Sequence, residues 1–286
     1  MNACIDCLPC LGRNAVDFAQ RSTQDPELRK KIVSESFHFL ASSDLTMSPP
    51  ATIGEIVKIA QKYTGEQDLY RAEKEKSNRL AELLLKDAVN IPEYDPESFE
   101  SRLRMAVAGN ILDFGIYYDL NIENALNMVR DSFRMPLDLD AVKRIHDRME
   151  SAKNILYLLD NCGEAVFDRV FMEPYREKIT IGVRGSYILN DVTEADLPEC
   201  GLANFAKAVI NNGAKYIPGT DLTAVSKEFL DVFHSADLVI AKGQGNFETL
   251  NDCNAPAAFL FLPKCPTVAA LAGGELRSIQ VKTINF

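Results

Sequence analysis

The sequence predicts an α/β protein: an N-terminal all-helical domain over residues 1–150, then a mainly parallel sheet with helices on both faces over residues 151–286. Two observations predict it. Before residue 150, apolar residues recur at helical spacing and no strand alternation interrupts them. After it, short apolar runs alternate with amphipathic segments, which is how strands buried on both faces of a sheet read.

In chain order, Asp25 to Phe39 sets Leu28, Ile32, Val33, Ser36 and Phe39 near one helical face. Ile53 to Tyr63, Leu69 to Ala88, Ser98 to Leu112, Ile122 to Phe133 and Leu139 to Ala152 repeat the period. Ser48-Pro49-Pro50, Ile91-Pro92, Asp95-Pro96 and Met135-Pro136 separate them. The first strand is expected at Ile155–Leu159, ending at Asp160-Asn161, with a helix from Glu164 to Glu177. Further strands are expected at Lys178–Val183, Ala214–Ile217, Leu238–Ala241, Ala257–Leu262 and Ser278–Ile284, with helices at Leu202–Asn211 and Leu222–Ser235.

The chain has 286 residues, of which 47% are hydrophobic and 25% charged, as in ordinary globular proteins. Its net charge of −10 argues against nucleic acid and against an anionic membrane as partners. Any phosphate site must therefore be positive locally. Met1 to Asn14 has no apolar stretch behind a basic start, so no signal peptide and a cytoplasmic location are expected. The apolar stretch Ala257–Ala272 is broken by Pro263, Lys264 and Pro266 and does not read as a membrane span. Seven cysteines without an export signal read as thiols or metal ligands.

Ligands of open α/β sheets bind beyond the carboxyl ends of the strands. After the first strand come Asp160, Asn161, Cys162, Gly163 and Glu164; after the second, Arg184-Gly185-Ser186 and then Asn190-Asp191. Asp160, Asn161 and Asp191 offer hard oxygen donors that suit a divalent ion such as Mg²⁺ or Mn²⁺. The same residues also suit a turn and a helix cap. Lys242-Gly243-Gln244-Gly245-Asn246 reads as a Gly-rich loop whose amides and lysine could cradle phosphate, or as an ordinary turn. It is neither a Walker A loop nor a dinucleotide fingerprint. In the helical half, Asn110 and Asp113 lie three apart on one face of an otherwise apolar turn. Cys4, Cys7 and Cys10 form C-x₂-C-x₂-C, a spacing that suits a metal site or free thiols. His38, His146 and His234 have no metal-like spacing.

Taken together, the stretches Gly109–Gly115, Leu158–Asp168, Val183–Thr193, Pro218–Asp221 and Asp237–Leu250 resemble the domain-of-unknown-function-89 family, the damage-control phosphatases, in its bacterial and archaeal branch. The resemblance implies a helical domain on a Rossmann-like domain with a divalent metal (Mg²⁺, Mn²⁺, Co²⁺ or Ni²⁺) at the junction. It implies Asp160, Asn161 and Asp191 as metal ligands. Around the substrate it implies Asn110, Asp113, Glu164, Asn190 and Lys242, to which the glycine-rich reading adds Gly243, Gly245 and Asn246. The implied reaction is hydrolysis of a small phosphorylated metabolite, a sugar phosphate or a damaged cofactor precursor. Asp160 and Glu164 are the expected catalytic groups. The sequence leaves open whether water or Asp160 attacks phosphorus. The rival readings are an S-adenosylmethionine-dependent methyltransferase, against which the loop after the first strand lacks a Gly-rich turn, and a non-enzymatic metal- or nucleotide-binding module.

Overall fold

The computed structural model describes residues 1–65, 67–110 and 122–286. Helices α1 (Leu8–Ser22), α2 (Pro26–Ser42), α3 (Pro49–Thr64), α4 (Arg71–Ala88), α5 (Phe99–Ala108), α6 (Ile122–Arg134) and α7 (Leu139–Ser151) precede the sheet. Their starts follow local chemistry. Asp25 caps α2 by accepting from the Glu27 amide at 2.9 Å, and Pro26 opens the helix where no N–H is needed. Ser48, Ser98 and Asp138 cap α3, α5 and α7 in the same way.

Strands β1 (Ile155–Leu158), β2 (Ile179–Val183), β3 (Ala208–Asn211), β4 (Leu238–Lys242), β5 (Ala257–Phe261) and β6 (Gln280–Ile284) form a sheet of order β3-β2-β1-β4-β5-β6. Every pairing is parallel except that of β5 with β6. Helices α8 (Glu164–Met172), α9 (Lys227–Ser235), α10 (Gly243–Leu250) and α11 (Pro266–Ala272) connect the strands. In register, Tyr157 of β1 lies between Ile181 and Ile240. These side chains and their row mates join the core under α4–α8, while Leu156, Leu158, Val239 and Phe259 face α9–α11. The helical half therefore shares one continuous core with the sheet. A separate apolar cluster joins α1–α3 to Ile188 and Tyr216, in the loops after β2 and β3. Strand order reverses between β1 and β4, so the crevice for a ligand opens beyond those two carboxyl ends.

The structure corrects some expected elements. Residues 208–211 are not the end of a helix but edge strand β3, with Val209 exposed. Residues 214–217 are no strand: Tyr216 has φ +61°, which breaks an extended chain. Helix α9 begins at Lys227 rather than Leu222, because Ser226 caps it through the Phe229 amide at 3.1 Å. Helix α1 was missed. Its buried Leu11, Ala15, Phe18, Ala19 and Ser22 have clear helical spacing, but the cysteine run obscures its start.

Candidate active site

Beyond β1 the chain turns through Asp160 and Asn161, and beyond β2 it returns through Asn190 and Asp191. Two backbone hydrogen bonds lock these loops: the Val192 amide donates to the Asp160 carbonyl, and the Cys162 amide to the Asn190 carbonyl, both at 2.9 Å. The resulting bridge sets Asn161 opposite Asp191. The three expected metal ligands are thus brought together, and all three are buried.

Arg184, directly after β2, ties the group. Its Nε donates to Asp191 Oδ2 at 2.6 Å, Nη2 to Asp160 Oδ1 at 3.3 Å and Nη1 to Asn246 Oδ1 at 3.0 Å. Sequence reasoning names Arg184 after the second strand without an individual role, although a charged side chain closing an apolar strand is a usable signal. Arg184 also lines an open cavity of about 320 Å³ with Ser186, Tyr187, Thr193 and Glu194.

Residues Gly243–Asn246 are not a loop, as expected, but the first turn of α10. Gly243 has φ +78°, and a Cβ there would stand 2.0 Å from Asp160 Oδ2. Its glycine lets the Asp160 carboxylate settle against a helix N-terminus, where the dipole favours negative charge. Gly245 instead permits close contact with the Pro218–Thr220 segment: a Cβ would meet the Pro218 carbonyl oxygen at 2.0 Å. Asn246 is buried and donates to the carbonyls of Leu159 and Lys242 at 3.3 and 2.8 Å, while Thr220 Oγ1 donates to its Oδ1 at 2.8 Å.

A second polar group lies deeper. Lys242 Nζ donates to Glu164 Oε1 and Asp168 Oδ1, both at 2.5 Å, and to the Ala106 carbonyl at 3.2 Å. Tyr157 donates to the same Asp168 oxygen at 2.8 Å. Lys242, Glu164 and Asp168 are fully buried. Two carboxylates against one ammonium leave surplus negative charge. Burial pushes Glu164 well above the usual carboxylate range despite Lys242, with Asp168 and Asp160 adding to the push. Burial raises Asp168 as well, and Lys242 and Tyr157 oppose it. For Lys242 burial acts downward, but Asp168 and Glu164 outweigh it and hold the ammonium above its ordinary value. Asp168 and Tyr157 were not anticipated as partners of this group.

Besides the Ala106 carbonyl, the helical half reaches the site through Asn110 and Asn78. Asn110 donates through Nδ2 to Glu164 Oε1. Gly109 allows that approach, since a Cβ there would come within 3.0 Å of the Glu164 Cα. Asn78 of α4 accepts the Gly163 amide at 2.8 Å and so steadies the loop that carries Asn161. Asp113 lies outside the described residues. Asn161 donates to Glu164 Oε2 at 3.0 Å and to Asp160 Oδ2 at 3.2 Å. Its Oδ1, like that of Asn110, is buried with no hydrogen-bond partner among the described residues. Also among them, no three His, Cys, Asp or Glu side chains group as a metal site, so the cysteine trio assembles no three-thiolate centre.

A family model described as the damage-control phosphatase ARMT1-like domain matches residues 3–279. The chain belongs to this family. It is 34% identical to the damage-control phosphatase PH1575 of Pyrococcus horikoshii, over 92% of each chain. It is 29% identical to a damage-control phosphatase of Archaeoglobus fulgidus, over 98% of each. The crystal structure of the P. horikoshii protein, described as a DUF89 family protein, superposes with a TM-score of 0.86 at 30% identity, covering 98% of each chain. Membership of this family supports phosphatase function and small phosphorylated substrates. Among the described residues, no helix is long and apolar enough to cross a membrane.

Proposed function

We propose that the protein is a metal-dependent phosphomonoester hydrolase acting on small phosphometabolites, sugar phosphates or damaged cofactor precursors. The observation that carries the metal is the buried Asn161 Oδ1, left without a hydrogen-bond partner among the described residues beside two buried carboxylates. A buried amide oxygen is costly to leave unmatched, and a cation would satisfy it. Two carboxylates and an amide are hard oxygen donors and fit Mg²⁺, Mn²⁺, Co²⁺ or Ni²⁺. Asp160, Asn161 and Asp191 would hold the ion, which when bound would polarise the phosphoryl group and offset its developing charge.

The chain's own residues divide the remaining work. Arg184 spans both carboxylates and keeps them in register. Glu164 aims the Asn161 amide by accepting from its Nδ2, which leaves the buried Oδ1 for the ion. Lys242 holds Glu164 and, through it, the Asn161 amide. The amides of Gly243–Asn246 at the start of α10 favour an anion, and Asn110, Asp113 and Asn190 complete the substrate's surroundings. The test is a hydrolysis screen over sugar phosphates and cofactor precursors, run metal-free and with each divalent ion. Turnover only with added ion is expected. Full turnover in metal-free protein would overturn the proposal.

A further inference from the structure

The C-x₂-C-x₂-C run takes no part in the site above, and it holds no metal-shaped group. Its first two thiols nonetheless meet. Cys4 caps a single 3-10 turn, Ile5–Cys7, that leads into α1, and Cys7 is the last residue of that turn. The Cys7 amide donates to the Cys4 carbonyl at 2.9 Å, which closes the turn. The Cys4 amide in return donates to Cys7 Sγ at 3.5 Å, so the Cys7 side chain folds back over its partner. The two sulfurs are 3.6 Å apart. A disulfide needs about 2.05 Å, with Cα atoms about 4.4–6.8 Å apart, a window that two ends of one closed turn satisfy. Side-chain rotation alone brings the sulfurs together.

We propose that Cys4 and Cys7 are a reversible dithiol–disulfide pair, with Cys4 as the attacking thiol and a small-molecule disulfide as its oxidant. The two thiols are unequal in the way such a pair requires. The hydrogen bond from Cys7 holds Cys4 below its ordinary value, while burial pushes Cys7 up to about 11. Cys4 Sγ also lies 3.9 Å from Thr267 Oγ1, a hydroxyl that adds to the Cys7 thiol as a partner for a thiolate. In the first step the Cys4 thiolate attacks one sulfur of the disulfide RS–SR. The Cys4–SR bond forms, the RS–SR bond breaks, and RS⁻ leaves and takes a proton. In the second step Cys7 loses its proton and attacks Cys4 Sγ, expelling the second RS⁻. The protein gives up two electrons and two protons; the disulfide becomes two thiols. Cys10, one turn further along α1, points to another neighbourhood: Cys265 and Glu248 contribute to its upward shift, behind burial.

The test uses the full chain, fully reduced, titrated with oxidised glutathione and read by intact mass and peptide mapping. Wild type is expected to lose two hydrogens, with the bond mapping to Cys4–Cys7, and a dithiol reductant is expected to restore them. Cys7→Ser should stop at a glutathione adduct on Cys4. Cys4→Ser should form neither that adduct nor an internal bond at Cys7, and Cys10→Ser should behave as wild type. A first bond between Cys7 and Cys10 or between Cys10 and Cys265 would overturn the proposal. So would a Cys7→Ser adduct that maps to Cys10, or a wild-type chain that keeps all its thiols at excess oxidant.

Discussion

Two charged groups stand one above the other at the switch point of the sheet, and they solve burial differently. The upper one, Asp160 and Asp191 with Arg184, keeps slight exposure, and its arginine lines an open cavity. The lower one, Glu164 and Asp168 with Lys242 and Tyr157, is sealed on every side. Both are two carboxylates on one cation. Arginine spreads its donors over a planar fork and can serve two acids and an amide at once; lysine concentrates its charge at one point and holds both acids close. The difference teaches that position decides use. On the proposed reading, the upper acids take up a cation. The lower ones have nothing else to turn to and serve as the floor that aims Asn161.

That contrast can be broken most sharply through the proposed metal. Chelation should abolish hydrolysis, and Asp160→Asn or Asp191→Asn should each lower kcat by roughly 10²-fold or more, the scale of a lost charge-stabilising contact. Equal kcat in either variant would remove the upper group from the chemistry. Next in size is Lys242→Met. It strands two buried acids and should destabilise the fold by about 3–5 kcal/mol, with added Mn²⁺ giving no relief. Urea denaturation with and without the ion checks this. Relief by Mn²⁺ would show that the lower group is open after all.

Arg184→Met should cost less, about 3 kcal/mol in the metal-free protein, because the acids it leaves are slightly exposed, unlike Glu164 and Asp168. Here added Mn²⁺ should raise Tm by more than it does in wild type. An equal rise in both would mean that Arg184 and the ion do not share partners.

The last effect concerns a buried acid outside both groups. Glu248 of α10 is buried, its carboxylate accepts from Gln244 at 2.9 Å, and burial pushes it up to about 7. The folded protein therefore keeps this proton where the unfolded chain, near 4.5, has released it. Stability from this group is full below about 4.5 and declines as pH rises to about 7, then stays level. Glu248→Gln should remove that slope and gain on the order of 3 kcal/mol at pH 8 relative to pH 4. Parallel slopes in variant and wild type would show that Glu248 ionises freely.

Much of this was legible from residues in a row. Periodicity alone marked α2 to α7, and short segments rich in apolar or β-branched residues marked β1, β2, β4, β5 and β6, because burial on one face or two imposes those patterns locally. The polar residues closing β1, β2 and β4 pointed to a site at those ends, since the carboxyl edge of a parallel sheet is where ligands bind. Edge strand β3 escaped because its short apolar run, Ala208-Val209-Ile210, also fits the end of the helical pattern expected over Leu202–Asn211. Only the tertiary structure decided which charges meet. Asn161 faces Asp191 through a bridge between two loops, and Arg184 reaches both carboxylates across that bridge. Lys242 turns down to Glu164 and Asp168 on a different helix. Spacing along a chain reports which face a residue takes; the partner across the gap depends on strand order and register, which no local pattern carries.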